Sequence, residues 1–307
     1  MAQPRLPACR VPCRRAPARG ALLGAGLLAG LVLVTAPAVA AADAPPDGAG
    51  DSLQARYAEL QPELARSPFR RPLLLQSNDS SSAPLGEVWA LLDHPFDAVA
   101  TALQQPRHWC DILMLQTNVK RCLPAGGGAQ QRLEVAIARR YTDPVDQAQP
   151  MAFDFAVPAM QPRYLAVALS AAQGPLGTQN YRLRFQAVPA GDRQTFMHLS
   201  YAYEMGMAAR MATSVYLSSA GKDKVGFSVT GRDEQGRPQY VRGMQGVAER
   251  NTMRYFLAID TFLDTASAPI DARLRRFHDA LERYPAQLHE TEQAEYLSMK
   301  RRETQAN

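Results

Sequence analysis

The stretch GVAERNTMRYFLAIDTFLDTA, residues 246–266, is the longest helical signal in the chain and the one that decides its fold. Its middle carries Met253, Tyr255, Phe256, Leu257, Ala258, Ile259, Phe262 and Leu263, apolar nearly all round. A surface helix shows one apolar stripe, so a helix of this kind has to be buried over most of its circumference. The preceding sequence supplies the wrapping. Residues 116–123, 132–141, 151–157, 163–171, 179–188 and 195–205 read as strands joined by short turns. Gly174-Pro175-Leu176-Gly177 and Pro189-Ala190-Gly191-Asp192 are among those turns. Alternation places Met151, Phe153, Phe155 and Val157 on one face, and Met197, Leu199, Tyr201, Tyr203 and Met205 on another. Such short connections make consecutive strands antiparallel neighbours, a meander.

Outward from the meander, residues 51–66 predict a helix carrying Leu53, Tyr57, Leu60 and Leu64. Leu73–Leu75 and residues 86–92 predict strands, and residues 96–105 and 107–115 two short helices. Residues 206–219 predict a Met-rich helix with Met207, Met211 and Val215 in phase, followed by a strand over 225–230 and a loop over 231–238. After the long helix, Pro269 opens another with Ile270, Leu274, Phe277, Leu281 and Tyr284 in a stripe, and past Pro285 the pattern weakens into a charged tail. The expected fold class is α+β: a curved antiparallel β-sheet gripping a long C-terminal helix, one sheet face wet. Two short helices follow the first core strand, and extra helices lie at the C-terminus.

Of the 34 Lys+Arg, Arg5, Arg10, Arg14, Arg15 and Arg19 lie in residues 1–40, which hold no acid. That leaves 29 cations against 29 Asp+Glu from residue 41 onward, a net charge of zero. An electroneutral body argues against nucleic acid as a partner. The Arg-rich start, the uncharged run 21–34 and Ala38-Val39-Ala40 are the three parts of a secretory signal peptide, so the expected location is outside the cytoplasm, in the periplasm. An uncleaved N-terminal anchor is the competing reading. Residues 43–50 are a linker, so the expected organisation is a signal over 1–40 and a linker with a helix over 41–70. A main domain over 71–268 and a helical tail over 269–307 complete it. Only Cys110 and Cys122 lie beyond the signal, and such a pair in an exported chain favours a disulfide, with a reactive thiol as the remaining alternative.

This order of elements resembles the START-like (SRPBCC) helix-grip superfamily, which includes polyketide cyclases. The residues carrying the resemblance are 86–94 leading into 95–115, the strands over 116–205, and 246–266. Residues 206–245 depart from the minimal pattern and read as an insertion, a lid over a cavity or packing on the sheet edge. The resemblance implies an apolar ligand, a lipid or another small molecule, held between sheet and long helix. It further implies transient contact with a membrane surface, and no cofactor. Candidate ligand-binding residues are Arg139, Phe153, Phe155, Tyr181, Phe185, Met197, Leu199, Tyr201, Tyr203, Arg250, Met253, Arg254 and Phe256.

Arg139 falls in phase with Leu133, Val135 and Ile137, where an unpaired charge is costly. It either meets a carboxylate, greets an anionic ligand or leans out at the strand end. Arg250 and Arg254, four apart on one helix face, suit a carboxylate or phosphate, or a solvated face. No nucleophile elbow, phosphate loop or zinc motif is present, the five histidines show no ligand spacing, and no catalytic residue is assigned. Binding or shuttling of an apolar molecule is the leading expectation. The alternatives are a cyclase or aromatase using Tyr201, Tyr203, Arg139 or Glu204, and an envelope interaction protein using its C-terminal helices. The sequence leaves the oligomeric state open.

Overall fold

Eight stretches of alternating or continuous apolar sequence pair into one antiparallel sheet in the computed structural model, which describes residues 46–128, 130–219 and 221–305. The elements run α1 (Ala49–Ala65), β1 (Leu73–Ser77), β2 (Leu85–Leu92), α2 (Phe96–Leu103), α3 (Pro106–Leu113) and β3 (Val119–Gly127). Then come β4 (Gln130–Ile137), β5 (Gln149–Gln161), β6 (Tyr164–Gln173), β7 (Thr178–Pro189) and β8 (Thr195–Met205). The rest are α4 (Met207–Ser218), β9 (Val229–Arg232), β10 (Pro238–Tyr240), α5 (Gly243–Asp264), α6 (Ile270–Leu281), α7 (Pro285–Leu288) and α8 (Gln293–Gln305). The expected signal peptide lies outside the described residues.

The sheet order is β1-β2-β8-β7-β6-β5-β4-β3, so the six-strand meander is present and β8 returns beside β2. Its inner face packs on α5, whose Met253, Phe256, Leu257, Ala258, Ile259 and Phe262 are buried. The fold is therefore the α+β helix-grip expected from the sequence. Gly86 lets β2 approach α5: a Cβ there would lie 2.2 Å from Thr252 Oγ1 and 3.0 Å from the Ala248 carbonyl. Arg71 fixes the far end of α5 through a bidentate pair with Asp260 at 2.7 and 2.8 Å, its guanidinium 4.7 Å from the Phe256 ring centroid.

The outer face of the sheet is not wet throughout. Leu53, Leu60 and Leu64 of α1 bury Tyr164, Val188 and Phe196 in a second cluster, with Tyr57 stacked on Phe196 at 4.8 Å. The apolar stripe of α1 needed a partner surface, and Phe196, on the outward phase of β8, provides it. Beside it His198 stacks on Trp89 at 3.7 Å and is held by Glu87 and Gln186 at 2.9 and 3.3 Å, a fully satisfied histidine. The His198 contact outweighs the effect of burial and holds the Glu87 carboxyl below its usual range.

Several local expectations are corrected. Pro124 to Gly127 continue β3 instead of turning, and β3 tolerates Pro124 because it is the sheet's edge strand. β4 stops at Ile137, since Ala138 N–H bonds to the Asn118 carbonyl at 2.8 Å and Asp143 caps a turn by accepting from Arg140 N–H at 2.9 Å. Residues 225–228 are not strand, because the Glu249 carboxylate takes the N–H groups of Phe227 and Ser228 and withdraws them from any ladder. Only β9 and β10 pair there, as a separate hairpin. The stripe of α6 buries Leu274, Phe277 and Leu281 but leaves Ile270 exposed, and Tyr284 lies beyond the helix. The charged tail is folded: α8 buries Tyr296, Leu297, Met299, Lys300 and Glu303.

Candidate functional site

The seam between sheet and α5 is packed. Phe185 pairs across the strands with Leu199, and Leu133 with Phe153. Phe185, Met197, Leu199, Met253 and Phe256 are wholly buried, and Phe153 and Phe155 nearly so. These seven candidates fill the core, and none of them lines the cleft described next.

That cleft, about 480 Å³, opens beside the middle of α5, at Asn251, Arg254 and Tyr255. Tyr201, Tyr255, Tyr141 and Tyr216 give it an aromatic floor, with Asn251 and Arg254 along one side. Strand alternation puts Tyr201 and Tyr203 on the inner face of β8, where Leu183↔Tyr201 pairing brings β7 alongside. Tyr201 lies 4.8 Å from Tyr255 and 5.6 Å from Tyr203, and Tyr203 stacks on Tyr181 at 5.1 Å. Tyr181 in turn donates to Thr178 at 2.8 Å. The hydroxyls of Tyr201 and Tyr255 hydrogen-bond to each other. Burial pushes the phenols up, Tyr201 and Tyr203 well above the usual range and Tyr255 to about 12. They are neutral hydrogen-bonding groups at ordinary pH, suited to orienting a molecule rather than abstracting a proton.

Helical spacing does bring Arg250 and Arg254 to one side of α5, but they do different things. Arg250 is buried and donates to the Val225 carbonyl at 3.0 Å, and burial followed by repulsion from Arg254 lowers its guanidinium to about 10. With Glu249 it staples residues 225–228 to the helix. Arg254 lines the cleft and pairs with Glu290 at 2.6 Å. Burial would raise the Glu290 carboxyl, but Arg254, the Thr117 hydroxyl and Lys224 together hold it below its usual range. Arg139 is exposed at the rim, past the end of β4.

Sequence reasoning missed Lys224, Tyr141, Tyr216 and Glu290. Glu290 lies where no periodicity remained, and Lys224 sits in the insertion. Tyr255 was visible only as one more apolar residue of the long helix. Among the described residues no group of three or more His, Cys, Asp or Glu converges as a metal site would. Cys110 of α3 and Cys122 of β3 form a disulfide with Cα atoms 5.2 Å apart, tying the helix to the edge strand near the cleft.

No family model matches this chain, and no curated protein is similar to it. Among solved structures it is similar to a norcoclaurine synthase from Thalictrum flavum, with 14% identity over 48% of this chain and 89% of that one, TM-score 0.33. An aromatase/cyclase from a Streptomyces species matches at 12% identity over 64% and 94%, TM-score 0.34. A START superfamily protein from Mycobacterium smegmatis matches at 15% identity over 45% and 92%, TM-score 0.30. The element order and the packing of the eight-stranded sheet around α5 are those of the START-like helix-grip fold.

Proposed function

We propose that this chain is an exported START-like carrier that binds a lipid or another apolar small molecule at the tyrosine-floored cleft. The observation carrying this is the cleft itself: about 480 Å³ at the mouth of a closed sheet–helix seam, with aromatic surface below and polar groups at the rim. That size and that division of chemistry fit a small-molecule site. Raised phenol pKa values disfavour a cyclase that needs a tyrosine base. The stripe of α6 is spent inside the chain, which disfavours an interaction arm. The test is titration of the full chain with the neutral probe N-phenyl-1-naphthylamine, alongside native mass spectrometry of the protein as purified. Saturable uptake of one probe is expected, weakened about tenfold by Tyr255→Ala. No uptake, and no co-purifying apolar molecule, would overturn the reading. A periplasmic product lacking residues 1–40 is expected from the precursor in a Gram-negative host.

Transient contact with a lipid surface is supported by α4. Met207, Met211 and Val215, its apolar stripe, are 72%, 66% and 67% exposed, and Ala209 alone in the helix is buried. Leu176, 50% exposed on the adjoining turn, extends the patch, and Gly206 N–H bonds to the Gly177 carbonyl at 3.3 Å. Residues 206–242 carry six cations against Asp223, Asp233 and Glu234, a net +3. That charge suits an anionic bilayer and opposes pairing with a second copy of the same patch. Met211→Asp with Val215→Asp is expected to cut co-sedimentation with phosphatidylcholine vesicles containing phosphatidylglycerol at least fivefold. The same change should move stability by less than about 0.5 kcal/mol, because both side chains are largely exposed among the described residues. Unchanged sedimentation would remove α4 from the contact.

A further inference from the structure

The charge of the cleft does not match its floor. Its walls present Arg139, Arg140, Lys224 and Arg254, and among the described residues Glu290 is the one carboxylate lining it. Glu290 is already taken by Arg254 and by the Thr117 hydroxyl. Lys224 donates to the His289 carbonyl at 3.0 Å, and Arg250, one turn from Arg254, donates to the Val225 carbonyl at 3.0 Å, both uncharged acceptors. The Nε of Arg254 is buried without a hydrogen-bond partner. The crowding is felt at Lys224, whose ammonium is held below the usual range by burial and, against the pull of Glu290, by Arg254 and Arg250. Positive charge that is partly dehydrated and under-compensated draws an anion, and low-dielectric walls focus that attraction.

From this we infer that the cleft recognises an amphipathic anion, a molecule whose apolar body lies on Tyr201 and Tyr255 and whose carboxylate or phosphate meets Lys224 and Arg254. Arg139 and Arg140, exposed at the rim, steer the anion inward. This rests on the ligand-binding reading above and adds the chemical class.

A matched pair of probes tests it on the full chain. 8-Anilinonaphthalene-1-sulfonate and N-phenyl-1-naphthylamine share a ring system and differ by one anionic group. The sulfonate is expected to bind about tenfold tighter, and to lose most of that advantage when sodium chloride rises from low to high concentration. Lys224→Gln keeps a donor for the His289 carbonyl but removes the charge. Combined with Arg139→Gln, it should weaken the sulfonate about tenfold and the neutral probe less than twofold. Arg254 is left intact, since its loss would strand Glu290. Failure of both probes would take down the carrier reading and this inference together. Equal affinity for both, unmoved by salt or by the double variant, would overturn the inference and leave the carrier reading standing. Competitors then identify the anion's source. Displacement of the sulfonate by dodecanoate or dodecyl phosphate, but not by dodecanol or inorganic phosphate, is the supporting result. Displacement by inorganic phosphate as readily as by dodecanoate would overturn the requirement for an apolar body.

Discussion

Raising the pH above about 10 is expected to unfold this protein cooperatively, with a midpoint near pH 11. Tyr181, Tyr201, Tyr203 and Tyr255 share one cluster, and Tyr296 lies wholly buried with its hydroxyl donating to the Leu115 carbonyl at 2.8 Å. Burial is the largest cause of the raised pKa in all five, with neighbouring phenols adding to it at Tyr201, Tyr203 and Tyr255. A phenol whose folded pKa is raised contributes stability that is whole below its unfolded pKa, near 10, and is lost as pH climbs toward the folded value. Each such tyrosine costs about 1.4 kcal/mol per pH unit in that window, so five approach about 7 kcal/mol per unit. A domain holds only about 5–15 kcal/mol in reserve. Tyrosinate absorbance and far-ultraviolet circular dichroism followed together are expected to change in one steep, coincident transition. Smooth ionisation of all the tyrosines from pH 10 with the dichroism unchanged would show that the cluster is open to water.

The parts of this fold that could be read from sequence are those where one period dominates. In β8, Met197, Leu199, Tyr201, Tyr203 and Met205 alternate without interruption, and all five face α5. The apolar circumference of α5 could only be satisfied by a sheet around it, which is why the grip arrangement was legible. Periodicity says that a face is apolar, however, and not what covers it. The stripe of α1 found the outer face of the sheet. The equally regular stripe of α4 is left exposed among the described residues. α8 gave no signal because its anchoring groups, Lys300 and Glu303, are charged, and hydropathy counts them as surface.

The cleft was half legible for the same reason. Tyr201 and Arg254 were marked by spacing along one strand and one helix. Their partners Tyr255 and Glu290 come from other elements, and only the fold brings them together: Glu290 reaches Arg254 across 36 positions of sequence. Arg139 was assigned to an apolar face on the assumption that the strand's phase continued. One capped turn at Asp143 ended the strand two residues earlier and left the guanidinium at the rim.

Replacing Glu303 by Gln is expected to destabilise the protein by about 3–5 kcal/mol at pH 7, because it strands two buried cations at once. Glu303 receives Lys120 at 2.7 Å on one oxygen and Lys300 at 2.6 Å on the other, and the lysine side chains are 1% and 0% exposed. The remaining donor capacity of the lysines goes to carbonyls of the cleft wall and its neighbours: Lys120 to Tyr141, Lys300 to Gln116 and Val119. The pH dependence has a definite sign. Burial lowers Lys300 to about 8, against the support of Glu303. A base depressed on folding binds more protons in the unfolded chain between its folded value and about 10.5, so stability rises with pH through that window. Without Glu303 the ammonium sheds its proton more readily still, and the deficit of Glu303→Gln should shrink between pH 7 and 9.5, before the tyrosines ionise. Urea unfolding at the two pH values measures it. A loss under about 1 kcal/mol at pH 7 would mean that this triad does not dock α8. Replacing all three charges together, Lys120→Met, Lys300→Met and Glu303→Leu, should restore most of the stability, since an apolar trio of similar volume removes the desolvation cost with the charges. In Glu303→Gln the cleft should loosen along the Gln116 and Tyr141 wall, so probe affinity is expected to fall with stability; in the triple variant it should recover only if packing, rather than the ammonium–carbonyl contacts, sets the position of that wall.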